Sequence, residues 1–298
     1  MTHKFSPFSR FLPGLLTLFC QVLFCQTIFA QTPLFKVEIP DSLLQEVVDR
    51  NSRIKISSQN GKTEIEPFEY ADCQSLLSVE IEEGIEKIGE YAFLGCTNLE
   101  SLRLPSTLRE IGEGAFRECT SLKSLTIPEG VTVVPPYMCA WDENLSYVKL
   151  PQSVVDISRN AFAYCSSLEE INLPTSLTHI GPNAFSFCRS IKEIEVPDSV
   201  TELESYAFSG CENLQSAKLP TNSNMLGELI FTGCASLREI ICLSQTPPTF
   251  DCDSPLIDTL EGELLSQCRL VLPENAKNDY ARSPGWSLFF EANSLKLE

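Results

Sequence analysis

The residues able to do chemistry are few in kind. Histidine occurs twice, at His3 and His179. A catalytic triad needs an imidazole set between a nucleophile and an orienting acid, and no Ser or Thr beside His179 suggests one. Carboxylates are abundant, as at Glu80, Glu82, Glu83, Glu86 and Glu90. Paired acid–base work needs one of them desolvated, whereas these fall on outward positions of a solvated face. Metal motifs are missing: there is no Cys-x-x-Cys, no His-rich tract and no loop of alternating acids closed by Gly and Glu. Asp251-Cys252-Asp253 comes nearest, and one short cluster supplies too few of the six to eight oxygens that calcium takes. No catalytic residue, metal site or cofactor is expected.

The cysteines carry a different message. Seven of the 13 stand at Cys73, Cys96, Cys119, Cys165, Cys188, Cys211 and Cys234, spaced by 23 residues except for one double step in which Asp142 takes the place. Equivalent residues on neighbouring coils lie roughly 4.8 Å apart. Parallel side chains then hold the beta carbons that far apart too, which is marginal for a disulfide. Buried thiols serving as small apolar core residues are the expectation. Cys139 and Cys242 also fall on core positions, so Cys252 and Cys268 are the one pair to test as a disulfide.

The last position of each 23-residue unit reads Gly95, Glu118, Trp141, Tyr164, Phe187, Gly210 and Gly233. The three aromatics would stack on successive coils. Such a strip can anchor a protein segment or stack on a sugar ring. It can equally pack on itself and shield the ladder near Asp142. Tyr147 extends the patch if the edge curves inward.

These residues are positioned by the unit itself, clearest over Cys96–Glu118, with the skeleton Cys96, Leu99, Leu102, Leu104, Pro105, Leu108, Ile111, Gly112, Ala115 and Phe116. A fixed period of this length in a 298-residue chain means one elongated array. The Leu102-x-Leu104 pair is a strand with one buried face, and Pro105 stops it because proline cannot donate to a ladder. A second short strand carries Ile111 inward. Gly112 allows a tight turn, and Ala115-Phe116 closes the coil. His179 aligns with Lys87 and Glu110 and is expected to face solvent. One coil cannot bury these residues alone, so the stack supplies the core.

Residues 1–30 read as a cleaved export signal: His3, Lys4 and Arg10 precede an apolar run, and Ile28-Phe29-Ala30 ends in a small residue before Gln31. No membrane-spanning segment is expected after cleavage. Residues 31–72 read as an N-terminal cap with a degenerate first repeat. Leu34–Ile39 alternates like a strand, Asp41 caps a short helix, and Ile54–Ile65 around Asn60-Gly61 has the form of a hairpin. The array spans 73–243 as seven full units and a partial eighth. Pro247-Pro248 then ends it, 251–267 is a surface insertion, and 244–298 forms the C-terminal cap. With 22 basic and 40 acidic residues the net charge is -18, and loss of Lys4 and Arg10 with the leader makes it more negative. Nucleic acid and anionic lipid are excluded as partners, for want of clustered Lys and Arg.

The pattern Cys-x-x-Leu-x-x-Leu-x-Leu-Pro-x-x-Leu-x-x-Ile-Gly-x-x-Ala-Phe resembles the BspA-like leucine-rich repeat family over about residues 73–243. The resemblance implies a repeat solenoid, mainly β with short strands and capped ends. Proteins of this kind are often surface adhesins of host-associated bacteria, so it also implies an exported, non-enzymatic binding protein that contacts host or other extracellular protein. An envelope scaffold or a glycan-binding accessory protein is the alternative.

Overall fold

The computed structural model describes residues 52–58, 61–250, 256–257 and 262–294. The leader, the Leu34–Ile39 strand, the helix after Asp41 and Cys252 lie outside them. Short strands alternate along the chain and form two parallel ladders, each strand pairing with its counterpart one coil away. The first ladder takes β1 (Arg53–Ile56), β3 (Ser78–Ile81), β5 (Ser101–Arg103), β7 (Ser124–Thr126), β9 (Tyr147–Lys149), β11 (Glu170–Ile171), β13 (Glu193–Glu195), β15 (Ser216–Lys218), β17 (Glu239–Ile241) and β19 (Arg269–Val271). The second takes β2 (Glu64–Ile65), β4 (Lys87–Ile88), β6 (Glu110–Ile111), β8 (Val133–Val134), β10 (Asp156–Ile157), β12 (His179–Ile180), β14 (Glu202–Leu203), β16 (Met225–Leu226) and β18 (Thr249–Phe250).

Alternation decides which side chains enter. Leu102, Leu125, Val148 and Ile194 are buried between exposed neighbours, as a half-buried strand requires. The strands β5, β7, β9, β11, β13 and β19 each run into a proline whose carbonyl accepts the amide three residues on, as from Leu108 to Pro105 and from Val200 to Pro197. After the second strand comes the glycine position. Its reason differs from the expected turn: at Gly112 a beta carbon would sit 2.4 Å from the Glu90 nitrogen of the preceding coil. Close approach between coils is what excludes a side chain there.

The Ala-Phe pairs fill the return side. Tyr70, Phe93 and Phe116 stack with centroids 5.2 and 6.0 Å apart, and Phe162, Phe185, Phe208 and Phe231 form a second stack at 5.4, 5.3 and 6.0 Å. Cys139, with the longer Met138 beside it, interrupts the column between them, and both are fully buried. The ladder thiols donate to the carbonyl 26 residues earlier: Cys96 to Tyr70, Cys119 to Phe93, Cys165 to Cys139, Cys188 to Phe162, Cys211 to Phe185 and Cys234 to Phe208, at 3.1–3.3 Å. Each is buried and outside any disulfide. They act as capped core residues, as the spacing implies.

Four expectations are corrected. Residues 54–65 do not form a hairpin; β1 pairs in parallel with β3, and β2 with β4. Ile54 lies opposite Val79 but Ile65 lies opposite Ile88, so the first coil is two residues longer than the rest, in the stretch that holds Asn60-Gly61. Parallel pairing wins because it buries Ile56 and Ile65 and covers the strand edges of the next coil. Second, Pro247-Pro248 does not end the ladders: β18 follows at once against β16, and β19 lies against β17. Third, within 251–267 the described Leu256 and Ile257 are buried rather than on the surface, and the Phe231 amide bonds the Leu256 carbonyl, continuing the return side. Fourth, Ile171 and Leu173 are only half-buried, because the first ladder parts between β11 and β13.

Both ladders also part between the coils that begin at Cys96 and Cys119. There the return side stays closed through Gly114, Phe116 and Glu118, whose amides bond Pro136, Met138 and Ala140 at 2.9–3.0 Å. The far end is closed by α1 (Gly262–Gln267), α2 (Lys277–Arg282) and α3 (Ser287–Ser294). Trp286 is buried at its centre, donating from Nε1 to the Pro248 carbonyl at 2.8 Å and meeting Tyr280 edge-on at 5.0 Å.

Candidate functional site

The return turn of every coil holds two residues in the left-handed region, four apart. The first column is Phe68, Tyr91, Gly114, Tyr137, Asn160, Asn183, Tyr206 and Leu229, with φ between 50 and 60°. The second is Asp72, Gly95, Glu118, Trp141, Tyr164, Phe187, Gly210 and Gly233, with φ between 58 and 74°. This conformation costs an L-residue roughly 1–2 kcal/mol relative to glycine. Gly, Asn and Asp at some of these positions are therefore the economical choice. Trp141, Tyr164 and Phe187 are not, and they sit together on three successive coils.

Their rings stack with nearly parallel planes. Trp141 and Tyr164 have centroids 5.3 Å apart at 5°, and Tyr164 and Phe187 4.6 Å apart at 11°. Phe187 lies over Gly210, where a beta carbon would come within 2.6 Å of its ring. Guanidinium groups close both ends of the stack. The Arg117 carbon is 4.6 Å from the Trp141 centroid, and that of Arg189 is 5.9 Å from Phe187. Arg117 and Arg159 also flank Tyr137 at 5.8 and 5.5 Å. Glu118 and Glu212 hold the outer guanidiniums at 3.1 and 2.8 Å. Tyr164 is 36% exposed and its two neighbours are half-buried, so the faces are spent on one another and the edges stay open.

The structure thus brings together Trp141, Tyr164 and Phe187 but not Tyr147. Tyr147 lies on β9 between Ser124 and Glu170 of the adjoining strands, 40% exposed. Among the described residues no ring contact joins it to the stack. The reason is the coil itself, which places β9 on the first ladder and the stack on the return turn. The arginines and Tyr137 are absent from the sequence-level site. A signal for them existed, since Arg117 and Arg189 each adjoin the aromatic column one unit outside its ends.

Where β11 and β13 part, a cleft opens on the first ladder, with Ile171, Leu173 and Ile194 below and Lys192, Glu195 and Lys218 among its walls. On the second ladder, His179 is not freely exposed as its alignment implies. Its Nδ1 meets Asp156 Oδ2, and its Nε2 meets Glu204 Oε1 at 2.6 Å. Burial of the ring opposes its charge, but the hydrogen bonds and negative charges of the two carboxylates outweigh this and raise its pKa above the ordinary imidazole value. The Cys211 and Cys268 thiols are not activated nucleophiles, since burial pushes them up to about 12. Cys268 is itself a free buried thiol.

Parallel two-ladder coils at a 23-residue period, with a buried Leu/Ile/Phe core, define a leucine-rich repeat solenoid. The chain belongs to the family described as BspA type leucine rich repeat region, whose profile matches six copies over residues 37–165 and 132–247. Among the curated proteins none matches. The chain is similar to a leucine-rich repeat protein from Bacteroides ovatus, 30% identical over 76% of this chain, with a TM-score of 0.50; it spans 64% of that protein's length. It is also similar to the T. pallidum leucine rich repeat protein, 28% identical over 63% of this chain and 78% of that one, with a TM-score of 0.46. Repeat solenoids of this class present extended binding surfaces. No described helix is long and apolar enough to cross a membrane.

Proposed function

We propose that this chain is an exported, non-enzymatic binding protein of the adhesin kind, and that it holds an extracellular protein partner through the Trp141–Tyr164–Phe187 stack. One observation carries the reading: three aromatic rings stack on successive coils with their edges open to solvent, between Glu118 and Gly210 of the flanking coils, and arginine caps the stack at both ends. Aromatic and arginine side chains also dominate interface energetics. Arg117, Arg159 and Arg189 are each paired with a carboxylate, of Glu118, Glu113 and Glu212, so the edge is charge-balanced within a chain of net charge -18. The leader before Gln31 provides the route of export.

The test is binding of the chain from Gln31 onward to immobilised extracellular matrix proteins and to a glycan panel, at two salt concentrations, beside a Trp141→Gly, Tyr164→Gly, Phe187→Gly triple variant. Glycine removes the rings without adding backbone strain. Saturable protein binding that survives salt and disappears in the variant supports the reading. Binding to polysaccharide alone replaces it with a glycan-binding accessory role, and binding to neither replaces it with an envelope scaffold. Protein binding unchanged in the variant removes the stack as the site.

A further inference from the structure

We propose that His179, Glu202 and Glu204 form a binding site for a divalent first-row transition-metal ion of the zinc type, with Asp156 positioning the imidazole. Register brings the residues together. Asp156, His179 and Glu202 occupy one outward column of the second ladder, on β10, β12 and β14, directly opposite one another across the parallel pairs. Glu204 stands two residues beyond Glu202. The equivalent position one coil earlier is Gly181, so no side chain there competes for the space over the imidazole.

The three candidate donor atoms, one nitrogen and two carboxylate oxygens, already lie within 4.8 Å of one another. A tetrahedral shell with bonds near 2.1 Å has edges of about 3.4 Å, a closure that carboxylate rotation supplies. The support behind the imidazole is built as metal sites build it. A ligating histidine commonly gives its other N–H to a carboxylate, which fixes the tautomer and the ring plane. Here Asp156 Oδ2 meets Nδ1, while Asp156 Oδ1 accepts the Ser158 hydroxyl at 2.5 Å. That leaves Nε2 as the ligand atom, aimed at the Glu204 carboxylate. A proton on Nε2 given to Glu204 and a metal ion compete for the same nitrogen, so the ion would take that proton's place while Nε2 and Oε1 part from 2.6 Å to the edge of its shell. Three carboxylates converge on this imidazole, and among the described residues no Lys or Arg forms an ion pair with any of them. An imidazole with two carboxylates selects zinc, cobalt, nickel or manganese over calcium and magnesium, which prefer all-oxygen shells. Three protein ligands leave a fourth position open.

The experiment is titration of the chain from Gln31 onward, kept reduced, with cobalt(II) and then with zinc displacing it. One equivalent should bind, with the weak visible bands of a nitrogen–oxygen site and without the intense near-ultraviolet band of a thiolate ligand. His179→Gln and, at an exposed position that spares the fold, Glu202→Gln should each weaken zinc at least about tenfold, and Asp156→Asn by about 10–100-fold through loss of orientation. Circular dichroism checks that each variant stays folded. The proposal is overturned by no saturable binding, by a thiolate band, by zinc affinity unchanged in Glu202→Gln, or by calcium displacing cobalt as readily as zinc does.

Discussion

Asp142 Oδ1 accepts the amide hydrogen of Cys119 at 2.8 Å across one full coil, from a position where every neighbouring coil has a cysteine. Its other oxygen, Oδ2, has no partner. In the adjoining coils the residue at this place donates its thiol hydrogen to a carbonyl 26 residues back, which by register is that of Phe116. A carboxylate cannot donate, but a carboxylic acid can. Complete burial, only partly offset by the bonds from Cys119 and Cys139, holds the Asp142 pKa well above its ordinary 3.8. Burial thus favours the neutral acid over the carboxylate at this position.

A sign follows for pH. The unfolded chain releases this proton near its ordinary pKa while the folded chain keeps it, so the contribution of Asp142 is most favourable below about pH 4 and declines as pH rises toward the folded pKa. A single such group gives a slope of up to about 1.4 kcal/mol per pH unit. Asp142→Asn keeps the acceptor, supplies a permanent donor and removes the slope. Urea unfolding of the two proteins from pH 4 to 8 measures it: the variant should gain relative to the parent as pH rises, and parallel curves would show that Asp142 is charged in the fold.

The ladder thiols should be inert while the coils are stacked. Burial raises the pKa of Cys119, Cys139, Cys165, Cys188 and Cys211, and the thiolate is the reacting form. A chromogenic disulfide reagent at pH 8 should label them only at the rate of unfolding, and all at once in denaturant. Fast labelling of several in the native protein would mean that the coils open locally.

Much of this architecture is legible in the sequence because each structural demand recurs every 23 residues. A buried strand residue, a stopping proline and an Ala-Phe pair repeat often enough to fix the period and the inward face. What escapes is anything stated once. The extra length near Asn60-Gly61 mimics a hairpin because a tight-turn dipeptide says nothing about whether the flanking strands pair with each other or with the next coil. The surroundings of His179 escape for the opposite reason: its partner Asp156 and its register neighbour Glu202 are 23 residues away on either side, and its partner Glu204 two residues further on, a spacing visible once the register is used to read columns of outward residues as well as inward ones. The aromatic column of Trp141, Tyr164 and Phe187 is legible as a stack, but its left-handed backbone shows only in the glycine of its flanking members, Gly95, Gly210 and Gly233. Tyr147 is misassigned because alignment gives its coil position without saying that strand and turn face different ways.

Gly210 links backbone to site. Its φ of 70° strains any other residue, and an added beta carbon would meet the Phe187 ring at 2.6 Å. Gly210→Ala should cost about 1–2 kcal/mol from the backbone alone and also tilt Phe187 out of the stack. By contrast Tyr164→Gly removes strain while losing ring contacts worth about 0.5–1.5 kcal/mol each, leaving stability nearly unchanged. Thermal unfolding of the pair gives the answer, and a Tyr164→Gly loss as large as a core truncation would make the ring structural.

The C-terminal helices should be integral to the array. Trp286 and Tyr280 are buried, and the Tyr280 hydroxyl donates to the Ser244 carbonyl at 3.1 Å while lying 3.2 Å from the Cys242 sulfur. These contacts tie α2 and the turn after it to the last coil, where β17 and β18 end. Trp286→Ala should lose about 3–5 kcal/mol, as large aromatic truncations in cores do. Because stability in a stacked array passes between neighbours, the loss should be felt first in the coils nearest the cap. Hydrogen exchange should then show protection falling most at Leu226, Ile240 and Phe250 and least at Leu102 and Ile111. A uniform fall along the whole chain would instead mean that the solenoid unfolds as one unit and that the cap holds every coil equally.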